Sequence, residues 1–341
     1  MSIQIINSWY QMGIPSFQEM RPTCKLTPLQ QIQQRYQEIE ANRNYLASQD
    51  KDDDSVINNQ TSNITFSQQT SQFEGIGSDK KYTIGVVDFC NNNDADIDLD
   101  GDGKADMAHG NVVASLISAS FTNSDVFTFD ISANQNFTTN ERIIASLEYI
   151  VNEIKNGECD YDAINLSLSS RITYSDLSKA LGVTINNNNV AQYADKIKEW
   201  LHSTGAKNGY STTSQVVKLL EQIEALGTDV YIAAANVNDG SDDEINLYTL
   251  AANTTSVGAK NKNGDIADFS FKNSAIDSWA LGEIEVKKIK DSSGKLLGLD
   301  INHDGKVDLD TKFCSGNGSD ANAYLRGTSF ASPYLLMSAL S

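Results

Sequence analysis

The sequence has no apolar run of eighteen or more residues, so no segment is built to cross a bilayer as a helix. Its start, Met1 to Met20, shows neither a basic stretch nor an apolar block, so no secretory leader is visible. The expectation is a cytoplasmic protein, one exported by a route other than Sec, or one whose leader has been removed. Cations are scarce: 26 Lys and Arg face 45 Asp and Glu, a formal charge of −19. Such a surface repels phosphate, which speaks against nucleic acid and anionic membrane as partners. The four cysteines (Cys24, Cys90, Cys159, Cys314) lie far apart with no C-x-x-C pair, so free thiols are expected rather than a disulfide framework. Only three histidines exist, His109, His202 and His303, which narrows any imidazole chemistry. What is present is ordinary for a globular chain: 341 residues, 40 % hydrophobic and 21 % charged, too apolar to be wholly disordered and long enough for one large α/β unit or about two domains.

The chain divides into three unequal parts. Residues 1–47 hold one predicted helix, Leu29 to Leu46, whose apolar positions (Ile32, Tyr36, Ile39, Leu46) are too sparse for it to fold alone. Residues 48–80 are rich in Gln, Asn, Ser, Asp and Thr and read as a polar linker. From 81 to 341 the pattern is that of a folded domain. Tyr82 to Val87, Ala163 to Leu168 and Val230 to Ala235 are short apolar runs, as strands buried on both faces should be. Between them, Val112, Val113, Leu116 and Ile117 mark one helix and Ile143, Leu147, Ile150, Val151 and Ile154 another. An insertion-like stretch at 171–210 places Val190, Tyr193, Ile197 and Leu201 on one side of a helix, and a further helix covers Ser214 to Leu226. Strands alternating with helices imply right-handed βαβ units and a parallel sheet covered on both faces, with chemistry gathered beyond the carboxyl ends of the strands.

Three polar residues stand where that rule points. Asp88 ends the first strand, His109 opens the next helix, and Ser329 begins the helix running into Tyr334–Leu340. A serine hydroxyl is a poor nucleophile until a base takes its proton, and imidazole has a suitable pKa. A carboxylate fixes the imidazole tautomer, and a helix N-terminus aims N–H groups at a developing oxyanion. Taken singly, an Asp ending a strand is more often a turn residue and a His opening a helix more often a surface group. His202 belongs to no motif and reads as structural, while His303 sits in an acidic loop and reads as solvated.

The order Asp, His, Ser is that of the subtilisin arrangement. Gly327-Thr328-Ser329-Phe330-Ala331-Ser332-Pro333 resembles the serine motif of the subtilisin-like (subtilase) serine proteases, with Phe330 where Met is common. His109-Gly110-Asn111-Val112-Val113-Ala114 is similar to the family's histidine motif, and Val86-Val87-Asp88 to its aspartate strand. Five segments fall in the family's order, and the resemblance covers roughly 81–341. It implies an α/β three-layer subtilisin-like fold, with a mostly parallel sheet covered by helices on both faces. It also implies a serine endopeptidase acting on polypeptide through Asp88, His109 and Ser329. Ala233-Ala234-Ala235-Asn236 resembles the segment carrying the oxyanion asparagine, which makes Asn236 that residue. Ile164-Asn165-Leu166-Ser167-Leu168-Ser169 resembles the strand that pairs with extended substrate, through Ser167, Leu168 and Ser169. Departures are Phe89-Cys90 after the aspartate, Asn111 for a usual Thr, and Ala235 for a usual Gly. Only 341 − 329 = 12 residues follow the serine, which leaves open a trimmed fold, an incomplete one, or completion by the N-terminal segment. A catalytically inactive, calcium-binding relative that keeps the peptide groove is the alternative reading.

Two acidic loops share one pattern. Asp98, Asp100, Asp102, Lys104 and Asp106 in the first, and Asp300, Asn302, Asp304, Lys306 and Asp308 in the second, occupy positions 1, 3, 5, 7 and 9 of a turn with Gly at 6. Hard oxygen donors so spaced wrap Ca²⁺, position 7 giving a backbone carbonyl, and the loops resemble EF-hand or dockerin calcium loops. Position 12 holds His109 and Thr311 instead of the bidentate Glu, and solvated Asp/Gly turns are the plain alternative. The expectation is one or two Ca²⁺ ions, with the first fixing the start of the His109 helix.

Overall fold

In a computed structural model, the residues described are Phe73, Ile76 and 80–341, apart from 92–94, 99–104, 106, 135–136, 238–241, 295 and 311–322. The expected helix at 29–46 and the linker at 48–80 lie almost wholly outside them, as does most of the first acidic loop.

The first strand, β1 (Thr83–Asp88), is buried from Ile84 onward because strands flank it on both sides and helices cover both faces. Helix α1 (His109–Ser120) follows, burying the expected stripe Val112, Val113, Leu116 and Ile117. Strand β2 (Asp125–Asp130) returns beside β1 in parallel. Helix α2 (Thr139–Lys155) opens with a capping box in which Thr138 and Glu141 satisfy each other's backbone N–H groups. It leads to β3 (Ala163–Leu166), which pairs in parallel with the opposite edge of β1.

Residues 171–210 form several short pieces, and the expected helix within them is divided among three. They are β4 (Arg171–Thr173), α3 (Tyr174–Leu181), a 3₁₀ turn (Val190–Tyr193), α4 (Ala194–Trp200) and a wide π-type segment (Leu201–Tyr210) broken at Asn208 and Gly209. Of the expected apolar face, Val190, Ile197 and Leu201 are buried, whereas Tyr193 is only partly so. Then come α5 (Ser211–Ala225), β5 (Asp229–Ala233), β6 (Glu244–Asn246), β7 (Thr255–Lys260) and β8 (Ser278–Leu281).

The main sheet runs β2-β1-β3-β5-β7-β8 and every pairing in it is parallel. The chain moves from β1 to one side and then to the other, so the order reverses at β1. That switch point opens a crevice at the carboxyl ends of β1 and β3. A second, antiparallel sheet, absent from the sequence reading, combines β9 (Glu283–Lys290), β10 (Leu296–Asp300), β11 (Leu309–Asp310) and β12 (Ala323–Arg326). The last helix, α6 (Thr328–Leu340), packs against α1 and the strands of the main sheet, while α2 packs on α5. Phe73 is buried beside Tyr334 of α6 (ring centroids 5.7 Å apart), and the Tyr82 hydroxyl donates to the Leu340 carbonyl. Phe73 and Tyr82 thus touch the later half of α6.

Candidate active site

Asp88 is the last residue of β1 and wholly buried. Its carboxylate accepts from His109 Nδ1 at 2.9 and 3.0 Å and from the Phe89 N–H at 2.7 Å. His109 is the first residue of α1, and its backbone N–H donates to Asp96 Oδ1 at 2.9 Å. Because both Asp88 oxygens face Nδ1, the proton resides there and Nε2 is left as the acceptor. Desolvation is the largest influence on the imidazole and lowers its pKa. The hydrogen bond and charge of Asp88, with Asp96 adding, outweigh it and hold His109 above the ordinary histidine value. Burial pushes the Asp88 carboxyl up, a rise that the His109 bond and the Phe89 N–H oppose.

Local sequence explains why the two side chains meet. Gly110 donates its N–H to the Phe89 carbonyl at 2.8 Å, so α1 begins in contact with the end of β1. A Cβ on Gly110 would lie 2.6 Å from Cys90 Sγ, 2.7 Å from Asp88 Cβ and 2.9 Å from the Phe89 oxygen. Asn111, in place of the usual Thr, donates its side-chain amide to the Cys90 carbonyl at 2.8 Å and secures the same junction. The Cys90 thiol, raised well above its ordinary pKa by burial, hydrogen-bonds the Asp88 carbonyl.

Ser329 lies in the first turn of α6 and is partly buried. Its neighbour Phe330 stands against the imidazole, with ring centroids 5.7 Å apart, so the serine motif and His109 share one crevice. Among the described residues, no hydrogen bond joins Ser329 Oγ to His109 Nε2. Asn236 follows β5, its Oδ1 accepting from the Thr328 N–H at 2.9 Å and the Thr328 hydroxyl at 3.1 Å. That commits the amide oxygen to Thr328 and leaves the NH₂ group as donor beside Gly327, whose built Cβ would be 3.3 Å from Nδ2. Ala235, where the resemblance leads one to expect Gly, is held at φ 87°, a left-handed conformation that suits glycine.

The Ser167–Ser169 segment extends β3 along the crevice, with Ser167 and Leu168 partly buried and Ser169 exposed. Ser167 Oγ donates to the Ser329 carbonyl at 2.9 Å. The wholly buried Asn246 was not singled out from sequence. Its side chain joins the Leu168 carbonyl, the Ser170 N–H, the Ala233 carbonyl and the Tyr248 N–H, bracing the ends of β3 and β5. Asp96 was missed because it stands in an acidic run whose members look alike in sequence. His202 bonds Ser214 Oγ at 2.8 Å, away from these groups, in keeping with a structural part. His303, expected to be solvated, is instead partly buried at φ 64° with Nε2 against the Glu285 carbonyl at 3.0 Å.

Of the first acidic loop, Asp100, Asp102, Lys104 and Asp106 lie outside the described residues, and Asp98 is exposed. Its base is closed by an antiparallel bridge between Ile97 and Met107, just before His109. In the second loop, Asp300 is buried and accepts from the Asp304 and Gly305 N–H groups. Asp308 accepts from Ile301 and Asn302, Asn302 Nδ2 donates to the Ala119 carbonyl, and Lys306 Nζ sits 2.8 Å from Asp304. These oxygens have the right chemistry for a hard cation, but they are turned toward N–H groups of their own loop. Among the described residues, no cluster of three or more His, Cys, Asp or Glu is placed to hold a metal.

A carboxylate–imidazole pair thus sits at the switch point of a parallel α/β sheet, with Ser329 in the first turn of the helix whose Phe330 faces the imidazole. The sequence profile of the subtilase family (peptidase S8) matches residues 79–335, and the chain belongs to that family. Among solved structures, it is similar to a lanthipeptide protease (17 % identity, 75 % of this chain and 72 % of that one, TM-score 0.43). A cold-adapted subtilisin-like serine proteinase is also similar (17 %, 78 % and 74 %, 0.39), as is the patellamide maturation protease PatA (17 %, 76 % and 78 %, 0.42). No curated protein sequence matches. No helix among the described residues is long and apolar enough to cross a membrane.

Proposed function

We propose that the chain is a serine endopeptidase in which Ser329, His109 and Asp88 form a catalytic triad. The observation that carries this reading is the bidentate bond of buried Asp88 to His109 Nδ1, which turns the basic Nε2 away from the carboxylate. Ser329 Oγ attacks the scissile carbonyl while Nε2 takes its proton. Asp88 stabilises the imidazolium, which then protonates the leaving amine. The tetrahedral oxyanion is held by the Asn236 amide and the Ser329 N–H, and water releases the acyl group by the same steps in reverse. Extended polypeptide adds as a strand along Ser167-Leu168-Ser169.

A fluorophosphonate probe tests the reading: an activated Ser329 is labelled, and Ser329→Ala abolishes both labelling and casein hydrolysis. Near-normal hydrolysis by Ser329→Ala refutes the assignment. An intact fold without labelling is the result an inactive peptide-binding relative would give. We further propose Ca²⁺ in the two acidic loops, through Asp98, Asp100, Asp102, the Lys104 carbonyl and Asp106, and through Asp300, Asn302, Asp304, the Lys306 carbonyl and Asp308. The closed base of the first loop beside His109 supports a link between that loop and the site. When bound, the ion would neutralise clustered carboxylates and order the approach to α1.

A further inference from the structure

We infer that Ser167 is a positioning residue for Ser329: its hydroxyl holds the one backbone carbonyl of the nucleophile's turn that Pro333 leaves without a helical partner. In an α-helix each carbonyl accepts from the N–H four residues on, and for Ser329 that residue is Pro333, inside α6 and lacking an N–H. The Ser167 hydroxyl supplies the missing donor from β3's extension, at 2.9 Å.

This bond is one end of a directed relay. A hydroxyl has one proton, and Ser167 spends it on the Ser329 carbonyl. Its lone pair accepts from Asn165 Nδ2 at 2.9 Å, and Asn165 Oδ1 accepts from Ser332 Oγ at 2.7 Å. Asn165 and Ser332 have no exposed surface, so water cannot replace a lost member. Both ends of the relay land on the first two turns of α6, at Ser329 and Ser332. The peptide unit carrying the nucleophile is therefore referenced to the segment proposed to carry substrate. Loss of the Ser167 hydroxyl frees the Ser329 carbonyl to tilt toward another donor, taking Cα and Oγ with it.

The inference rests on the peptidase reading, and its test separates the two. The full chain is compared with Ser167→Ala, Ser167→Thr, Pro333→Ala and the double variant Ser167→Ala/Pro333→Ala. The readouts are fluorophosphonate labelling rate, kcat and KM on a peptide, and the urea midpoint. Ser167→Ala is expected to slow labelling and kcat about tenfold with KM within about threefold. Ser167→Thr keeps the hydroxyl and stays near wild type. Pro333→Ala returns an N–H four residues from Ser329, so it recovers most of the tenfold loss in the double variant. The inference is overturned if Ser167→Ala labels at the wild-type rate, if the loss lies wholly in KM, or if the two substitutions act additively. Should the unmodified chain not label at all, the peptidase reading fails. The urea midpoints then decide the carbonyl clamp alone, recovery in the double variant supporting it and additivity overturning it.

Discussion

Replacing Gly110 by alanine sets two physical effects against each other. Helix propensity favours the change, since Gly→Ala inside a helix stabilises by about 1 kcal/mol. The local packing opposes it. The new methyl would meet Cys90 Sγ at 2.6 Å, Asp88 Cβ at 2.7 Å and the Phe89 oxygen at 2.9 Å, where ordinary contacts begin near 3.4 Å. Relief requires α1 to retreat from β1 by roughly 0.7 Å, taking contact distance minus the mean of these approaches. Two of the three opposing atoms belong to Asp88 and to the backbone of Phe89, so no rotamer change removes the clash. Overpacking of this kind costs about 1–3 kcal/mol, and breaking the Gly110–Phe89 hydrogen bond adds about 1 kcal/mol. The net prediction is a loss of about 1–3 kcal/mol in urea unfolding. The same retreat stretches the 2.9 Å Asp88–His109 bond beyond hydrogen-bonding range, so kcat/KM falls by more than the stability loss explains. Cys90→Ala removes only one of the three clashes and leaves Gly110→Ala still impaired. A Gly110→Ala protein with unchanged or raised urea midpoint and unchanged kcat/KM refutes the argument that this junction is set by van der Waals contact.

The pH profile gives a second expectation. His109 must be neutral to act as base, and its pKa is held above the ordinary histidine value. The acid limb of kcat/KM therefore has its midpoint above about 6.5. The sign for stability is opposite: a raised folded-state pKa contributes stability that is fully present below the unfolded value and is lost as pH rises through the folded one. Asp96→Asn keeps an acceptor for the His109 N–H but removes its charge, so it moves the limb toward lower pH, and an unmoved limb excludes that influence. Asn236→Ala is expected to reduce kcat by roughly 10²–10³ with little change in KM, a range taken from the oxyanion asparagine of a subtilisin, and a raised KM with unchanged kcat assigns Asn236 to binding instead. Removing Ca²⁺ with EDTA is expected to lower both melting temperature and peptidase rate, restored by added Ca²⁺, and two unchanged values dispose of the cation reading.

The main sheet and the placement of Asp88 and His109 at its carboxyl ends were legible because their signals are local. Ile84-Gly85-Val86-Val87 is apolar without alternation, which only a strand buried on both faces tolerates, and Asp88 breaks the run at the crevice. The stripe of Val112, Val113, Leu116 and Ile117 likewise fixes which side of α1 meets the sheet. The antiparallel β9–β12 sheet was not legible. Glu283–Lys290 has a charged second half in which Lys287, Lys288 and Lys290 blur the alternation. Its partner β12 lies far along the chain, with Val286 opposite Ala323. Pairing at that separation leaves no short-range mark, and the same holds for the bracing by Asn246, whose four bonds reach segments on both sides of it in sequence.

The placement of Asp88, His109 and Ser329 depends less on those side chains than on backbone exceptions beside them. At Gly110 the absence of a Cβ lets α1 approach close enough for the imidazole to reach both oxygens of Asp88. At Pro333 the absence of an N–H frees a carbonyl that Ser167 then secures to β3. At Ala235 a left-handed φ is kept without the glycine that suits it, a strain of order 1–3 kcal/mol that the surrounding structure must hold in place. That structure is visible: the Ala234 N–H bonds the Val257 carbonyl, and the Ala235 carbonyl accepts from Phe271. Asn236, the next residue, is thereby turned toward Thr328 and the first turn of α6. Each exception joins elements distant in sequence, so a substitution that looks conservative at Gly110 or Ala235 should disturb the chemistry more than many larger changes on the surface of the helices beside them.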